Sequence, residues 1–107
     1  MKLAVGKLPS DTRINIQAHV FRSKHPGPTT LFLAGVHGDE INGIEIVRRL
    51  LHNKVLKDNL TTGSVIVIPL LNIYGFVNFN RYVPDGKDVN RSFPGNQTGS
   101  LLSLIHI

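Results

Sequence analysis

His37 and Glu40 are the two residues of this chain whose types and spacing could bind a metal ion. Imidazole nitrogen and carboxylate oxygen are both zinc ligands, and catalytic zinc sites often combine histidines, one carboxylate and a water molecule. Side chains three residues apart lie on the same side of a helical turn, so this pair can close on one ion. The pair also fits a simpler hypothesis, in which His37 is a loop residue and Glu40 is a first-turn carboxylate that the helix dipole favours.

A second group of polar residues lies in residues 78–95, a segment rich in Asn, Asp, Gly, Pro and Arg. Long segments of loop composition are usually functional in compact domains. The side chains of interest are those of Arg81, Asp88, Asn90 and Arg91. Because basic and acidic residues lie together in this segment, we expect it to form a small polar site. The alternative is a surface ion pair between Asp88 and Arg91, which would contribute little to stability.

Two short apolar runs, residues 29–36 and 64–71, are predicted to be buried strands. Between them, apolar residues recur every three or four positions from Ile41 to Leu51, which predicts an amphipathic helix with Asp39 as its N-cap. A strand, a helix and a strand in this order give a right-handed crossover and a parallel pair. Open α/β sheets bind ligands outside the carboxyl ends of their strands. Because the His-Glu pair and the polar loop both leave from those ends, we expect them to form one site.

The remaining segments carry weaker signals. Alternation of apolar and polar residues over 14–22 predicts one further strand, and residues 56–62 read as a polar connection. Residues 99–107 are again apolar and predict the start of a helix. Gly38 is expected to permit a sharp turn between the two candidate metal ligands, and Gly43 to permit close packing of the helix on the strand.

The composition excludes several classes of protein. A chain of 107 residues is one domain at most. The absence of cysteine excludes disulfides and thiolate metal sites, and it fits a cytoplasmic location. No apolar run approaches the roughly 20 residues that a membrane helix needs. The net charge of +5 is scattered along the chain and mixed with acidic residues, so we expect no nucleic-acid binding.

Four segments resemble, in their order and spacing, motifs of the succinylglutamate desuccinylase/aspartoacylase family, a branch of the zinc carboxypeptidase-like fold. These segments are Ala34–Gly43, Ile68–Phe76, Asn80–Tyr82 and Asp88–Gly95. The likeness covers most of the chain, from about Pro26 to Ser100. It implies an α/β fold: a partial zinc-carboxypeptidase-like sheet with the strand-helix-strand crossover, truncated at the C-terminus.

The resemblance also implies roles for the residues of the polar loop. Arg81 would be catalytic, because a fixed positive charge can polarise the scissile carbonyl and stabilise the oxyanion. Asn90 and Arg91 would bind a carboxylate of the substrate, and Asp88 would orient one of the arginines. The reaction would be hydrolysis of the amide bond of an N-acyl amino acid, a small-molecule substrate.

The metal site that the resemblance implies is incomplete in this sequence. His37 and Glu40 would be two of three Zn²⁺ ligands, but the family's third ligand and its general base, a histidine and a glutamate on later elements, have no counterpart here. His106 falls in the predicted last helix, so we do not expect it to be a ligand. We therefore expect residues 1–107 to be the N-terminal part of a single zinc hydrolase catalytic domain, with little or no hydrolase activity alone.

Two other functions are compatible with the same residues. A metallocarboxypeptidase would bind the C-terminal carboxylate of a peptide with the same residues and would remove the C-terminal residue. A non-enzymatic α/β module could use the polar loop to bind an anion, and zinc content would distinguish it from both enzymes. The sequence predicts no particular oligomeric state.

Overall fold

A computed structural model describes residues 1–96 and residue 98, in which an N-terminal hairpin is followed by two strands, two helices, a strand and a helix. The strands are β1 (Lys2–Lys7), β2 (Arg13–Gln17), β3 (His19–Arg22), β4 (Thr29–Leu33) and β5 (Ser64–Ile68). The helices are α1 (Ile41–His52), α2 (Val55–Asn59) and α3 (Ile73–Val77), followed by a 3-10 turn at Val89–Arg91. The helix predicted to begin within residues 99–107 lies outside the described residues. No helix in the described part is long and apolar enough to cross a membrane.

The central sheet confirms the predicted crossover. β4 and β5 pair in parallel, and β3 pairs antiparallel with the other side of β5, so the strand order is β3-β5-β4. Both parallel strands end three residues earlier than predicted, at residues 33 and 68. The two segments stay linked beyond this point, because the backbone N–H of Asn72 donates to the carbonyl of Gly35 at 2.8 Å. Two hydrogen-bonded loops therefore leave the sheet side by side at its carboxyl edge.

The prediction of one strand over residues 14–22 is wrong, because this segment forms two strands in different sheets. β2 pairs antiparallel with β1, which the sequence did not predict, whereas β3 pairs with β5. Between them lies Ala18, which is only 1% exposed and whose N–H donates to the carbonyl of Met1 at 2.9 Å. The alternation of apolar and polar residues continues through the change of sheet, so period two alone cannot locate it.

The sequence analysis did not predict two short helices. α2 begins one residue before the expected polar connection of residues 56–62, α3 follows the loop after β5, and each helix has five residues. So few residues cannot show the recurrence that identifies a helix. The local signal for α3 is its N-cap, since the side-chain oxygen of Asn72 accepts a hydrogen bond from the N–H of Gly75 at 2.8 Å.

Two clusters of buried apolar residues form the core. In the first, Val47 of α1 packs with Ala34 and with Val65 and Val67 of β5, as the predicted amphipathic face requires, whereas Ile41 at the start of that face is 51% exposed. The second cluster joins the N-terminal strands, the end of β5 and the polar loop; its members are Ile16, Ala18, Ile68, Leu71, Val83 and Val89. The polar loop is therefore anchored in the core, although its composition is that of a surface segment.

The N-terminus of α1 differs from the prediction. Glu40, and not Asp39, occupies the N-cap position, and its side chain makes no capping hydrogen bond. The predicted N-cap at Asp39 is therefore wrong. The carboxylate of Glu40 is left available for other contacts, which are described below.

Gly38 is required by a close contact between two backbones. A Cβ built on Gly38 would overlap the backbone of Gly75 and Phe76 in the first turn of α3. A Cβ on Gly43 would lie 3.8 Å from the Cβ of Ala34, which is an ordinary van der Waals distance. Close packing thus requires the first glycine and not the second, contrary to the role predicted for Gly43.

Alanine substitutions at these two glycines are expected to have opposite effects on stability. Gly38→Ala should destabilise the protein by about 1–3 kcal/mol or more, because backbone atoms must move to accept the methyl group. Gly43→Ala should stabilise it by about 0.5–1 kcal/mol, because alanine loses less conformational entropy in a helix. Urea denaturation of the intact protein measures both values, and a Gly38→Ala variant as stable as wild type would contradict the packing described here.

Candidate active site

The site begins where the chain leaves β4. Gly35 adopts a positive φ of 60°, a conformation that glycine accepts without strain, and it turns the chain away from the sheet. His37 follows in a buried position, 8% exposed. The loop then returns toward α1, with the N–H of Glu40 donating to the carbonyl of His37 at 3.3 Å. The backbone thus places both candidate metal ligands in a single turn at the carboxyl edge of the sheet.

The side chains of His37 and Glu40 converge. The Nδ1 atom of His37 lies 3.1 Å from Oε1 of Glu40. The side chain of His37 is 10% exposed and that of Glu40 is 65% exposed. The imidazole is therefore held within the protein, while the carboxylate approaches it from the solvent side.

The other nitrogen of His37 contacts Asp88, a residue 51 positions later in the chain. Nε2 of His37 lies 2.8 Å from Oδ1 of Asp88. An ionised carboxylate only accepts hydrogen bonds, so Nε2 is the donor. Nδ1, on the side of Glu40, is then the nitrogen that can bind a metal once it carries no proton. Histidine ligands of metals commonly donate their second N–H to a carboxylate in this way.

Asp88 is held in its ionised form by its neighbours. The hydrogen bond from His37 is the largest cause that lowers the pKa of Asp88, to about 2; the backbone N–H of Asn90 and the guanidinium of Arg81 add to it, while partial burial opposes them. Its side chain is 16% exposed. Asp88 thus presents a fixed negative charge next to the histidine.

Arg81 completes the group of contacting side chains. Its Nη2 donates to Oδ2 of Asp88 at 3.0 Å, and its Nη1 lies 3.7 Å from Oε1 of Glu40. The hydrogen bond to Asp88 also raises the pKa of Arg81. The four side chains form a closed ring in which the order of contacts is His37, Glu40, Arg81 and Asp88.

Asn90 and Arg91 lie next to this ring, in the 3-10 turn that follows Asp88. Both residues are exposed, whereas Val89 between Asp88 and Asn90 is 1% exposed and packs in the core. The N–H of Asn90 donates to Oδ1 of Asp88 at 2.9 Å. The buried side chain of Val89 and the hydrogen bond to Asp88 therefore hold the turn in place. The side chains of Asn90 and Arg91 lie at the surface.

The structure brings together four of the six residues that the sequence singled out. Asp88 contacts Arg81, in keeping with the expectation that it orients an arginine. Its contact with His37 was not foreseen, since no local pattern links residues so far apart in sequence. Asn72, which the sequence placed only at the end of a strand, is a further buried polar residue beside the site, 2% exposed.

Among the described residues, His37 and Glu40 are the two candidate metal ligands that lie close together. Within residues 1–96 and 98, no group of three His, Cys, Asp or Glu side chains is arranged to hold an ion. Three further histidines lie on β3, in the turn before β4 and at the end of α1, and these are His19, His25 and His52. His106 lies outside the described residues.

An open cavity of about 600 Å³ borders the site on the side of Glu40. Its walls come from the end of β4 and the start of α1, and they include Asp39, Glu40 and Gly43. The exposed face of the Glu40 carboxylate is therefore accessible to a ligand or to another segment of protein.

Comparison with known proteins identifies the family. Residues 26–105 match the model of the succinylglutamate desuccinylase/aspartoacylase catalytic domain. The N-alpha-acetyl-L-2,4-diaminobutyric acid deacetylase of Halomonas elongata is 39% identical over 80 residues, which are 74% of this chain and 23% of the deacetylase.

Solved structures with the same fold lead to the same family. An aspartoacylase family protein of Mesorhizobium loti superposes with a TM-score of 0.81 at 31% identity, covering 98% of this chain and 33% of that protein. The product-bound ectoine utilization protein EutE of Ruegeria pomeroyi superposes with a TM-score of 0.80 at 30% identity, covering 98% of this chain and 32% of EutE. The chain thus spans about a quarter to a third of the length of these relatives. With its zinc carboxypeptidase-like α/β fold and its matching segments, the chain belongs to the succinylglutamate desuccinylase/aspartoacylase family.

Proposed function

We propose that this chain is the N-terminal part of the catalytic domain of a zinc-dependent hydrolase that removes the acyl group from N-acyl amino acids. One observation carries the proposal: Nδ1 of His37 and Oε1 of Glu40 face each other at 3.1 Å, with Asp88 behind the imidazole. Two side chains that merely occupied a loop would have no reason to be aligned by a third, buried contact.

The donor atoms fit zinc. Zinc binds histidine nitrogen and carboxylate oxygen at about 2.0–2.2 Å with near-tetrahedral angles, which places two ligands of one ion roughly 3.3–3.6 Å apart. The distance of 3.1 Å between Nδ1 and Oε1 is close to that range, so a small shift of the exposed Glu40 side chain would let both atoms bind one ion. When bound, zinc supplies Lewis acidity toward the amide carbonyl and activates water for attack. Within residues 1–96 and 98, no third His, Cys, Asp or Glu side chain joins this pair.

Arg81 is assigned to the charge that develops on the substrate carbonyl oxygen. Its guanidinium lies at the mouth of the site, 39% exposed, and Asp88 holds it in place by a hydrogen bond of 3.0 Å. A positioned cation next to developing negative charge stabilises the transition state more than the ground state. Because Asp88 already orients the guanidinium, little reorganisation is needed when substrate binds.

Asn90 and Arg91 are assigned to the carboxylate of the amino acid. Both are exposed, and they follow Asp88 directly, so they stand at the rim of the same site. A guanidinium and an amide can together satisfy the oxygens of a carboxylate. The carboxylate would then fix the distance between the amide bond and the metal.

The relatives support an acyl amino acid as substrate. The deacetylase of Halomonas elongata acts on an N-acetyl amino acid, according to its name, and it is 39% identical to this chain over 80 residues. The sequence-based expectations of a small-molecule substrate and of zinc are therefore retained as parts of this proposal.

The zinc content of the intact protein tests the metal assignment. His37→Ala should lose most of the bound zinc, because one ligand and the orientation of the other are removed. His52→Ala, at the exposed end of α1, is the matched control and should keep the wild-type content. Metal analysis by mass spectrometry measures both, and equal zinc in the two variants would favour the anion-binding module.

Asp88 is expected to determine how tightly the metal binds. Asp88→Ala should weaken zinc affinity by about 10–100-fold, because the partner that orients the histidine ligand is lost. Asp88→Asn, which can still accept the hydrogen bond from His37, should lose less. Asp85→Ala removes a carboxylate from the same loop and serves as the control. Competition with a zinc chelator measures the affinities, and indistinguishable values for Asp88→Ala and Asp85→Ala would show that Asp88 does not support the site.

Substrate preference separates deacylase from carboxypeptidase. We expect the intact protein to hydrolyse N-acetyl and N-succinyl amino acids, N-alpha-acetyl-2,4-diaminobutyric acid among them, faster than dipeptides with a free C-terminus. The isolated 107-residue chain should show little or no hydrolysis, because two ligands hold zinc more weakly than three. A chromatographic assay of the released amino acid measures these rates. Faster cleavage of dipeptides, or turnover by the isolated chain, would contradict the respective expectation.

A further inference from the structure

We propose that Asn72 is a positioning residue, which sets the location of Arg81 relative to the metal-binding turn. This inference rests on the proposed function, in which Arg81 acts on the substrate carbonyl. Asn72 is the N-cap of α3, four residues after the end of β5, and within residues 1–96 and 98 its hydrogen bonds go to neither of the candidate metal ligands. Its influence on the reaction would therefore pass through Arg81.

The side chain of Asn72 makes two hydrogen bonds of different kinds. Its Oδ1 accepts from the N–H of Gly75 at 2.8 Å, and its Nδ2 donates to the backbone carbonyl of Arg81 at 3.2 Å. The residue is 2% exposed, so water cannot replace these partners. Buried amide groups keep their hydrogen bonds because leaving them unsatisfied is costly. The carbonyl of Arg81 is therefore tied to the N-cap of α3.

The backbone of Asn72 connects the same point to the metal-binding turn. Its N–H donates to the carbonyl of Gly35 at 2.8 Å, two residues before His37. Gly75, which Asn72 caps, lies in backbone contact with Gly38 on the other side of the histidine. One residue thus has hydrogen bonds to the turn that carries His37, to α3 and to the segment that carries Arg81.

Arg81 needs such an anchor because it lies outside regular secondary structure. Asp88 holds the far end of its side chain, and Asn72 holds its backbone. Two fixed ends restrict the guanidinium to one place, whereas the contact with Asp88 alone would allow the backbone to shift. Arginine side chains are long, so a displaced backbone would change the direction from which the guanidinium meets the substrate.

Asn72→Ser separates the two functions of the side chain. A serine hydroxyl can still cap α3 by accepting from the N–H of Gly75, but it is too short to reach the carbonyl of Arg81. Asn72→Asp is a second variant that keeps the acceptor and removes the donor. Asn78→Ser is the matched control, since Asn78 lies at the other end of α3 and its amide donates to the carbonyl of Tyr74 at 2.9 Å.

The expected result in the intact, zinc-loaded protein is a loss in kcat with little change elsewhere. Asn72→Ser should lower kcat on an N-acyl amino acid by about 10–100-fold, because a shift of about 1 Å in a catalytic group has effects of this size. The KM and the zinc content should stay near wild type, since the residues assigned to the carboxylate and the metal are unchanged. Asn78→Ser should retain the wild-type kcat.

A double-mutant cycle provides a readout that a merely structural role would not give. If Asn72 acts through Arg81, then Arg81→Ala combined with Asn72→Ser should be no slower than Arg81→Ala alone. Additive losses in kcat, a wild-type kcat for Asn72→Ser, or failure of both Asn72 variants to fold would each overturn the proposal. Failure of the proposed function is distinguishable, because it would appear as a wild-type protein without zinc or activity, or as an unimpaired Arg81→Ala.

Discussion

The carboxylate of Asp88 is the constraint on which the candidate site depends. One oxygen accepts from the imidazole of His37 and the other accepts from the guanidinium of Arg81. The histidine and the arginine that matter for the proposed chemistry are therefore oriented by the same carboxylate, whose pKa is lowered to about 2 by its neighbours. Charge-assisted hydrogen bonds are among the strongest in proteins, so this arrangement restricts both side chains more than separate partners would.

The parallel pair of strands explains why these side chains can meet at all. β4 and β5 end at the same edge of the sheet, and hydrogen bonds continue between the loops that follow them. The turn with His37 and the segment with Arg81 start from two neighbouring points on one rigid support. The absence of a Cβ at Gly38 then allows α3 to pack against the turn. Backbone packing therefore determines where the side chains of the site lie.

The sequence correctly predicted those elements in which a single apolar pattern extends over the whole element. The apolar recurrence in α1 and the two apolar runs around it sufficed for the crossover and for the edge that carries the site. The pattern failed over residues 14–22, where alternation continues from β2 to β3 while the partner strand changes. It also failed for α2 and α3, because a helix of five residues is stabilised by its cap and its packing rather than by periodicity.

The same distinction applies within the site. His37 and Glu40 are three residues apart, so local geometry alone makes them a candidate metal pair. Asp88 contacts His37 and Asn72 contacts the backbone of Arg81, and these partners are defined only when β5, α3 and the polar loop are folded together. Leaving the buried amide of Asn72 without hydrogen bonds would cost about 1–3 kcal/mol of stability. Its two side-chain hydrogen bonds offset this cost. Candidate metal ligands can therefore be predicted from their spacing in the sequence. Residues that position the site can be identified only from their burial and from their hydrogen-bond partners in the structure.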